Sequence, residues 1–181
     1  MTGRAPLRQA AAGITIAILA VLVLAADQFT KHLALQNLPY QEPVPVIGDF
    51  LILYLTKNPG AAFSLGEEVT WIFTIALAAV AVVIGWLAAT RVRSRLWAVA
   101  LGLLLGGVLG NLTDRLFRDP GPMLGHVIDL FMLPNWPVFN VADICINAAA
   151  GLIILQTFRG VALDGTRDAD HGPDASTSTQ A

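Results

Sequence analysis

The chain has 181 residues, of which 55% are hydrophobic and only 13% are charged. A soluble domain of this length carries roughly a quarter charged residues, so the composition indicates an integral membrane protein rather than a soluble one. A formal net charge of −2 leaves no basic surface for nucleic acid, and a single cysteine, Cys145, excludes a disulfide framework.

Four apolar segments follow one another along the chain, each close to the roughly 20 residues that cross a bilayer core as a helix. They predict an all-α membrane protein with four transmembrane helices, at about residues 10–35, 69–90, 96–113 and 139–158. The first segment also has features of a cleaved signal peptide, but its length and its charged residues Asp27 and Lys31 favour a retained helix.

Between the first two helices, the connection at 40–66 is rich in β-branched and aromatic residues. The run PVPVIGDFLILYLT, the turn sequence KNPG and the short apolar run AAFSL together predict a hairpin-like β element. Residues 1–160 are therefore expected to form one four-helix transmembrane domain with a small β element. The polar, acidic residues 161–181 are expected to form a disordered cytoplasmic tail.

Basic residues predict the orientation in the membrane. If the chain crosses four times, three groups of arginines lie on one side: Arg4 and Arg8, then Arg91, Arg93 and Arg95, then Arg159 and Arg167. The positive-inside rule makes that side cytoplasmic. Both termini are then expected in the cytoplasm, and the longer connections at 36–68 and 113–138 face outward.

Three helices are expected to carry a carboxylate at one level. At the helical rise of 1.5 Å per residue, Asp27, Asp114 and Asp143 each lie roughly 24–28 Å from an arginine near the other end of their helix. All three would then approach the outer edge of a bilayer core of about 30 Å. A carboxylate inside a membrane segment is costly, so each is a functional candidate by default.

Simpler interpretations remain open for some of these residues. Asp27 and Lys31, at positions i and i+4, would also suit an interfacial ion pair. Asn111, Asp114 and Arg115 would also suit a helix end, with the Arg115 side chain extending to the interface. On the same helix a face of small residues predicts close helix contact; its members are Gly102, Gly106 and Gly110.

A further carboxylate, Asp129, lies among apolar residues in the outer connection, in the sequence VIDLF. Two close carboxylates in a low-dielectric site share one proton, so one can activate water while the other polarises a carbonyl. Asp129 and Asp143 are therefore candidates for an aspartic protease dyad. The zinc motif HExxH and the nucleophile motif GxSxG do not occur in the sequence.

Two alternatives to a protease dyad stay open on the residues alone. One is a thin metal-ligand set made of His126, Asp129 and Asp143. The other is a small four-helix proton-coupled transporter, in which a buried carboxylate near mid-membrane carries a proton or binds a cation.

Five motifs, in the order DQFTK, NPGAAFS, GNLTDR, VIDLF and FNVAD, resemble those of lipoprotein signal peptidase (signal peptidase II) over about residues 10–160. The resemblance implies an aspartic endopeptidase of the bacterial plasma membrane with its site near the outer face. Such an enzyme removes signal peptides from prolipoproteins, cleaving before a cysteine that carries a diacylglyceryl group. It implies no cofactor and no metal, and its partners are lipid-modified precursors and membrane lipids. We expect a monomer.

The resemblance also implies a role for each polar residue of the motifs. The catalytic dyad would be Asp129 and Asp143. The positions that resemble substrate-binding or site-supporting ones are Asn58, Gly60, Asn111, Arg115 and Asn140. The positions that resemble structural polar ones are Asp27, Lys31 and Asp114.

Overall fold

The computed structural model of the chain describes residues 8–60 and 70–167. Its four helices are α1 (Gln9–Asn37), α2 (Thr70–Thr90), α3 (Arg95–Phe117) and α4 (Val141–Phe158). Its three strands are β1 (Val44–Ile47), β2 (Leu51–Asn58) and β3 (Val127–Met132). The predicted fold class, four apolar helices plus a small β element, is confirmed, because all four helices are long and apolar enough to cross a membrane.

Helix α3 is the central helix, and α1, α2 and α4 all pack against it. More than half of the residues in the apolar stretch of α3 are buried, whereas the outer helices expose large apolar side chains such as Val21 and Val82. Exposed apolar surface on this scale is stable only against lipid or another protein. The helices therefore have a protein-facing side and a lipid-facing side, as a bundle in a bilayer requires.

The predicted small-residue face of α3 makes the close contact with α1. A Cβ atom added to Gly102 would lie 2.8 Å from the Cβ of Leu19, and one added to Gly106 would lie 2.5 Å from the Cβ of Val23. One turn further on, a Cβ at Gly110 would lie 2.6 Å from a carboxylate oxygen of Asp27. The helix backbones thus approach closely enough for polar side chains of α1 to reach α3 and α4.

The β element is a three-stranded antiparallel sheet in the order β1-β2-β3. A hairpin forms earlier than the turn predicted at KNPG: β1 and β2 pair with each other, and the chain reverses at 48–50, where Gly48 has a φ of 49°. The predicted partner run AAFSL lies outside the described residues. The second neighbour of β2 is instead β3, which comes from the connection between α3 and α4. A pairing between strands so distant in sequence has no local signal.

The opposite end of the bundle is closed by the chain after α4. The backbone amides of Arg93 and Ser94 donate to the carbonyl of Leu163 at 2.9 and 3.0 Å, and Trp97 Nε1 donates to the carbonyl of Val161 at 2.8 Å. Residues 161–167 form a turn in which Val161 and Arg167 are bridged. The start of the tail is therefore ordered, contrary to the expected disorder, because the carbonyls of Val161 and Leu163 accept hydrogen bonds from donors in residues 93–97. Residues 168–181 lie outside the described residues.

Substitution of the small-residue face gives a test of this packing. Gly106→Ala is expected to lower the free energy of unfolding in detergent by about 1–3 kcal/mol, because the new methyl group meets Val23 and the carbonyl of Ala20. Gly85→Ala is the matched control, since a Cβ there meets nothing within 4 Å. Equal thermal midpoints for the two variants would contradict the close α1–α3 contact.

Candidate active site

The sheet holds Asp129 over the ends of the helices. One set of its side chains packs on α1, in a cluster of Ala34, Leu55, Ile128 and Leu130. Side chains alternate along a strand, so Asp129 projects to the other side, opposite its register partner Thr56. Only 2% of Asp129 is exposed, although it is a carboxylate. Such burial requires hydrogen-bond donors close by.

Asp143 lies in the first turn of α4, where the local sequence builds a capping box. Asn140 is the N-cap residue, and its side-chain oxygen accepts a hydrogen bond from the backbone amide of Asp143 at 3.0 Å. In return, Asp143 Oδ2 accepts from the backbone amide of Asn140 at 3.1 Å. The positive end of the helix dipole favours a negative charge at this position.

Asn140 joins the two acids. Besides capping α4, its Nδ2 donates to Asp129 Oδ1 at 2.7 Å. One fully buried side chain therefore sets the position of both carboxylates. Burial, and secondly the negative charge of Asp143, raise the pKa of Asp129 to about 7. The two acids are therefore electrostatically coupled, as two carboxylates that share a proton must be.

Two further asparagines complete the surroundings of the acids. Asn111 Nδ2 donates to Asp143 Oδ1 at 2.9 Å, and Asn58 Nδ2 donates to Asp129 Oδ2 at 3.1 Å. The Asn58 side-chain oxygen accepts from the backbone amide of Gly60 at 3.1 Å. Each carboxylate of the pair therefore accepts a hydrogen bond from at least two groups.

Arg115 is 5% exposed and its side chain turns into the protein rather than out to the interface. Its guanidinium donates to the carbonyls of Pro59, Gly60 and Gly125 at 3.1, 3.2 and 3.4 Å. The Arg115 side chain therefore does not extend to the membrane interface, which was the simpler interpretation of the sequence. Arg115 instead ties together two connections that carry site residues.

The residues expected to be structural form a buried ion cluster beneath the acids. Lys31 Nζ lies 2.8 Å from Asp27 Oδ2 and 2.7 Å from Asp114 Oδ2, and all three side chains are fully buried. Asp27 Oδ1 also accepts from the backbone amide of Ala142 at 3.0 Å, and Asp114 Oδ2 from that of Ile128 at 3.1 Å. The cluster therefore joins α1 and α3 to the start of α4 and to β3, and it is more than an interfacial ion pair.

A cavity of about 440 Å³ opens beside the two acids. Its polar end is lined by Asn58, Gly60, Asn111, Arg115, Asp129, Asp143 and Asn147. Its apolar wall is lined by Phe73, Ala76, Leu77 and Val80 of α2, by Ile146 of α4 and by residues 136–139. Every residue predicted to be catalytic or substrate-binding therefore lines the cavity except Asn140, which supports the acids from outside it, whereas the predicted structural residues Asp27, Lys31 and Asp114 do not line it.

His126 does not join the acids in a metal-ligand set. It lines two other cavities, with Lys57 and Asp119, and takes no part in the lining of the cavity beside Asp129 and Asp143. Within residues 8–60 and 70–167, no three His, Cys, Asp or Glu side chains are grouped so that they would hold a metal ion. The arrangement is thus one of two carboxylates and amide donors.

Comparison with known proteins gives the family of this arrangement. The family model described as signal peptidase (SPase) II matches residues 19–159. The chain belongs to the signal peptidase II family. The chain is similar to a protein named lipoprotein signal peptidase from Leifsonia xyli, which is 47% identical over 93% of this chain and 78% of the relative. The protein of the same name from Rhodococcus jostii is 51% identical over 83% of this chain and 75% of the relative. The protein of that name from Mycobacterium tuberculosis is 45% identical over 83% of this chain and 75% of its own.

Two solved structures share the fold of this chain. A structure described as a bacterial membrane enzyme has a TM-score of 0.70 with this chain at 26% identity, covering 80% of this chain and 93% of its own. A second, described in the same way, has a TM-score of 0.72 at 23% identity over 92% and 94%, which shows a shared fold. Together with the four apolar helices, these findings make the chain a multi-pass membrane protein.

Two contributions to the candidate site were missed in the sequence. Gln28 Nε2 donates to Asp27 Oδ2, to Asp114 Oδ1 and to the carbonyl of Gly110 at 3.1–3.2 Å, so it extends the ion cluster. Its place in the motif DQFTK was the available signal. The apolar wall from α2 was also missed, although Phe73, Ala76, Leu77 and Val80 have the i, i+3, i+4, i+7 spacing of one helix face.

The role of Arg115 can be measured without substrate. Arg115→Lys replaces a planar fork by a point charge that cannot reach three carbonyls at once. Hydrogen exchange at residues 58–60 and near Gly125 is expected to speed up, because the free energy of local opening falls by about 1–2 kcal/mol. Arg91→Lys, at the other end of the bundle, is the control. Unchanged exchange in Arg115→Lys would refute the tie between the two connections.

Proposed function

We propose that the protein is an aspartic endopeptidase that removes signal peptides from diacylglyceryl-modified prolipoproteins, cleaving before the lipidated cysteine. The observation that carries the proposal is the pair Asp129 and Asp143, held by Asn140 at the polar end of a partly apolar cavity. Family membership and relatives named lipoprotein signal peptidase support the substrate class. Nothing in these comparisons favours a transporter.

In the proposed reaction the dyad holds one proton. Asp129, whose pKa is raised to about 7, carries it, and Asp143 is ionised. Asp143 takes a proton from water as the water oxygen attacks the scissile carbonyl carbon, and Asp129 gives its proton to the carbonyl oxygen. Collapse of the tetrahedral intermediate breaks the C–N bond. The amine leaves with the proton from Asp143, and Asp129 recovers its own from the gem-diol.

The supporting residues divide between holding the acids and meeting the substrate. Asn140 and Asn111 donate to the carboxylates, and each is buried. Asn58 and Gly60 line the cavity on the strand side, where they would meet the substrate backbone; Arg115 keeps their segment in place. All of these groups come from one chain, so a monomer would be a complete enzyme without any cofactor.

The shape of the cavity suits an amphipathic substrate. The α2 residues Phe73, Leu77 and Val80 give the cavity an apolar wall, and the two acids line the same cavity. We infer that the diacylglyceryl chains lie along this wall, because transfer of acyl chains to it from lipid needs no exposure to water. The scissile bond beside the lipidated cysteine would then lie next to the acids.

Neutralising either acid tests the dyad. Asp129→Asn and Asp143→Asn are each expected to lower kcat for a purified lipidated precursor by at least about 10³-fold, and the double variant little further, because the two acids act as a unit. Asp49→Asn, an exposed acid at the hairpin turn, is the matched control. Substantial turnover by either single variant, with normal folding, would reject the assignment.

The pKa of Asp129 predicts an alkaline limit to activity. The carboxyl is protonated below about pH 7 and loses its proton above, so kcat/KM should fall as pH rises, with an apparent pKa of about 7 that belongs to the pair. The charged groups that act on Asp129 are Asp143, Arg115 and Lys31, and α2 carries no charged side chain. A profile that is level through pH 9, or that already declines near pH 4, would contradict the protonated Asp129.

The cellular side of the site rests on the arginines. The sheet and the acids lie at one end of the bundle, and Arg8, Arg93 and Arg159 lie at the other. With that basic end cytoplasmic in the bacterial plasma membrane, the site is near the outer face. Reporter fusions after residues 92 and 165 should give cytoplasmic signals, and fusions near Gly66 and Gly121 outside signals. The reverse pattern would place the site in the wrong leaflet.

A further inference from the structure

Lys31 contacts a member of the site as well as its two acids. Its ammonium lies 2.8 Å from Asp27 Oδ2 and 2.7 Å from Asp114 Oδ2, and it donates to Asn111 Oδ1 at 3.1 Å. The side chain is fully buried. An ammonium has three donors and no acceptor, so these three contacts use its full capacity.

The contact with Asn111 determines which way that amide points. Because the ammonium can only donate, the Asn111 group facing it must be the carbonyl oxygen, and the NH₂ group must face the other way. That NH₂ group donates to Asp143 Oδ1 at 2.9 Å. If the amide were rotated by 180°, its NH₂ group would face the ammonium. Its oxygen would then face the carboxylate oxygen of Asp143, and both hydrogen bonds would be lost.

The same constraint passes to the next amide. Asn111 Oδ1 also accepts from Asn140 Nδ2 at 3.2 Å, so the Asn140 NH₂ group faces both Asn111 and Asp129. The Asn140 oxygen is then left for the backbone amide of Asp143. Starting from one donor-only group, every amide in the series has a single orientation, and each presents hydrogens to a dyad carboxylate.

We propose that Lys31 is a positioning residue for the dyad, whose ammonium fixes the amide orientation of Asn111 and through it that of Asn140. The inference rests on the proposed function. Lys31 does not line the cavity, so it is not placed to contact a substrate bound there. Its positive charge also acts on Asp129, whose pKa it lowers.

A role limited to holding α1 against α3 is the competing explanation. The two explanations differ for a charge-balanced variant. Lys31→Met alone leaves Asp27 buried without its cation, which destabilises in either case. Asp27→Asn with Lys31→Met removes one charge of each sign, keeps an oxygen for the amide of Ala142, and leaves Asp114 paired with Arg118 at 2.5 Å. A structural role predicts that this pair of changes restores activity together with stability.

The positioning role predicts a different outcome for the pair of changes. The double variant should regain a thermal midpoint above that of Lys31→Met, yet its kcat should stay roughly 10- to 100-fold below wild type, the factor that one hydrogen bond to a charged group is worth. KM should change little, since Lys31 does not meet substrate. The alkaline limb should move to higher pH, because the charge that lowers the pKa of Asp129 is gone.

Two single variants serve as references. Lys57→Met makes the same substitution at an exposed lysine of β2 and should match wild type in kcat and in pH profile. Asp27→Asn alone keeps the Lys31–Asn111 bond and should lower the thermal midpoint more than kcat. Lys31→Arg, also a donor-only cation, should retain more activity than Lys31→Met if it folds.

The outcomes of these measurements distinguish this inference from the proposed function. If wild type cleaves the lipidated precursor, Asp129→Asn does not, and the double variant has wild-type kcat and pH profile, the positioning role is overturned and the peptidase stands. If Asp129→Asn cleaves normally, the proposed function falls first. Loss of kcat with a shifted alkaline limb in a stable double variant supports the role of Lys31.

Discussion

The buried charge of Lys31 is the constraint on which the rest of the site depends. In a low-dielectric interior an ammonium without partners is very costly, so Asp27, Asp114 and the Asn111 carbonyl must all be close to it. These partners come from α1 and α3, and they approach because α3 has glycines where the helices meet. The same two acids then bind the backbone amides of Ala142 and Ile128, so the start of α4 and the strand β3 are placed relative to the cluster.

Once those elements are placed, the arrangement of the two acids follows from short-range chemistry. The N terminus of α4 needs a cap, and Asn140 provides it in a reciprocal box with Asp143. Because the β3 strand crosses nearby, the remaining NH₂ hydrogens of Asn140 reach Asp129. A capping residue thus becomes the link between two acids from different elements. The cost of burying Asp129 is offset by amide donors and by retention of its proton, which is the form that the proposed chemistry uses.

The helices and the acids have signals in the sequence of a different kind from those of the sheet. The four helices could be predicted because each apolar run has the length of a bilayer core. The common level of the carboxylates could be predicted because the helical rise converts sequence position into depth. The strand β3 was visible only as the apolar run VIDLF, and its partner β2 lies about 70 residues earlier, so their pairing had no local pattern. The β1–β2 reversal at Gly48 was not separated in the sequence from the turn-forming stretch KNPG, because both stretches have turn-forming residues. The turn at 161–167 was missed since its hydrogen-bond partners are on the α2–α3 link.

By itself, the sequence determined that this is a four-helix membrane protein with acids near one level, since apolar length and residue depth are properties of single segments. Five short motifs added the family, because their order along the chain is specific where each alone is weak. Only the tertiary structure decided that Asn140 joins the two acids, that Arg115 turns inward, and that Lys31 reaches Asn111. These contacts link residues from different elements, and their energies depend on donor geometry and burial that no single segment contains.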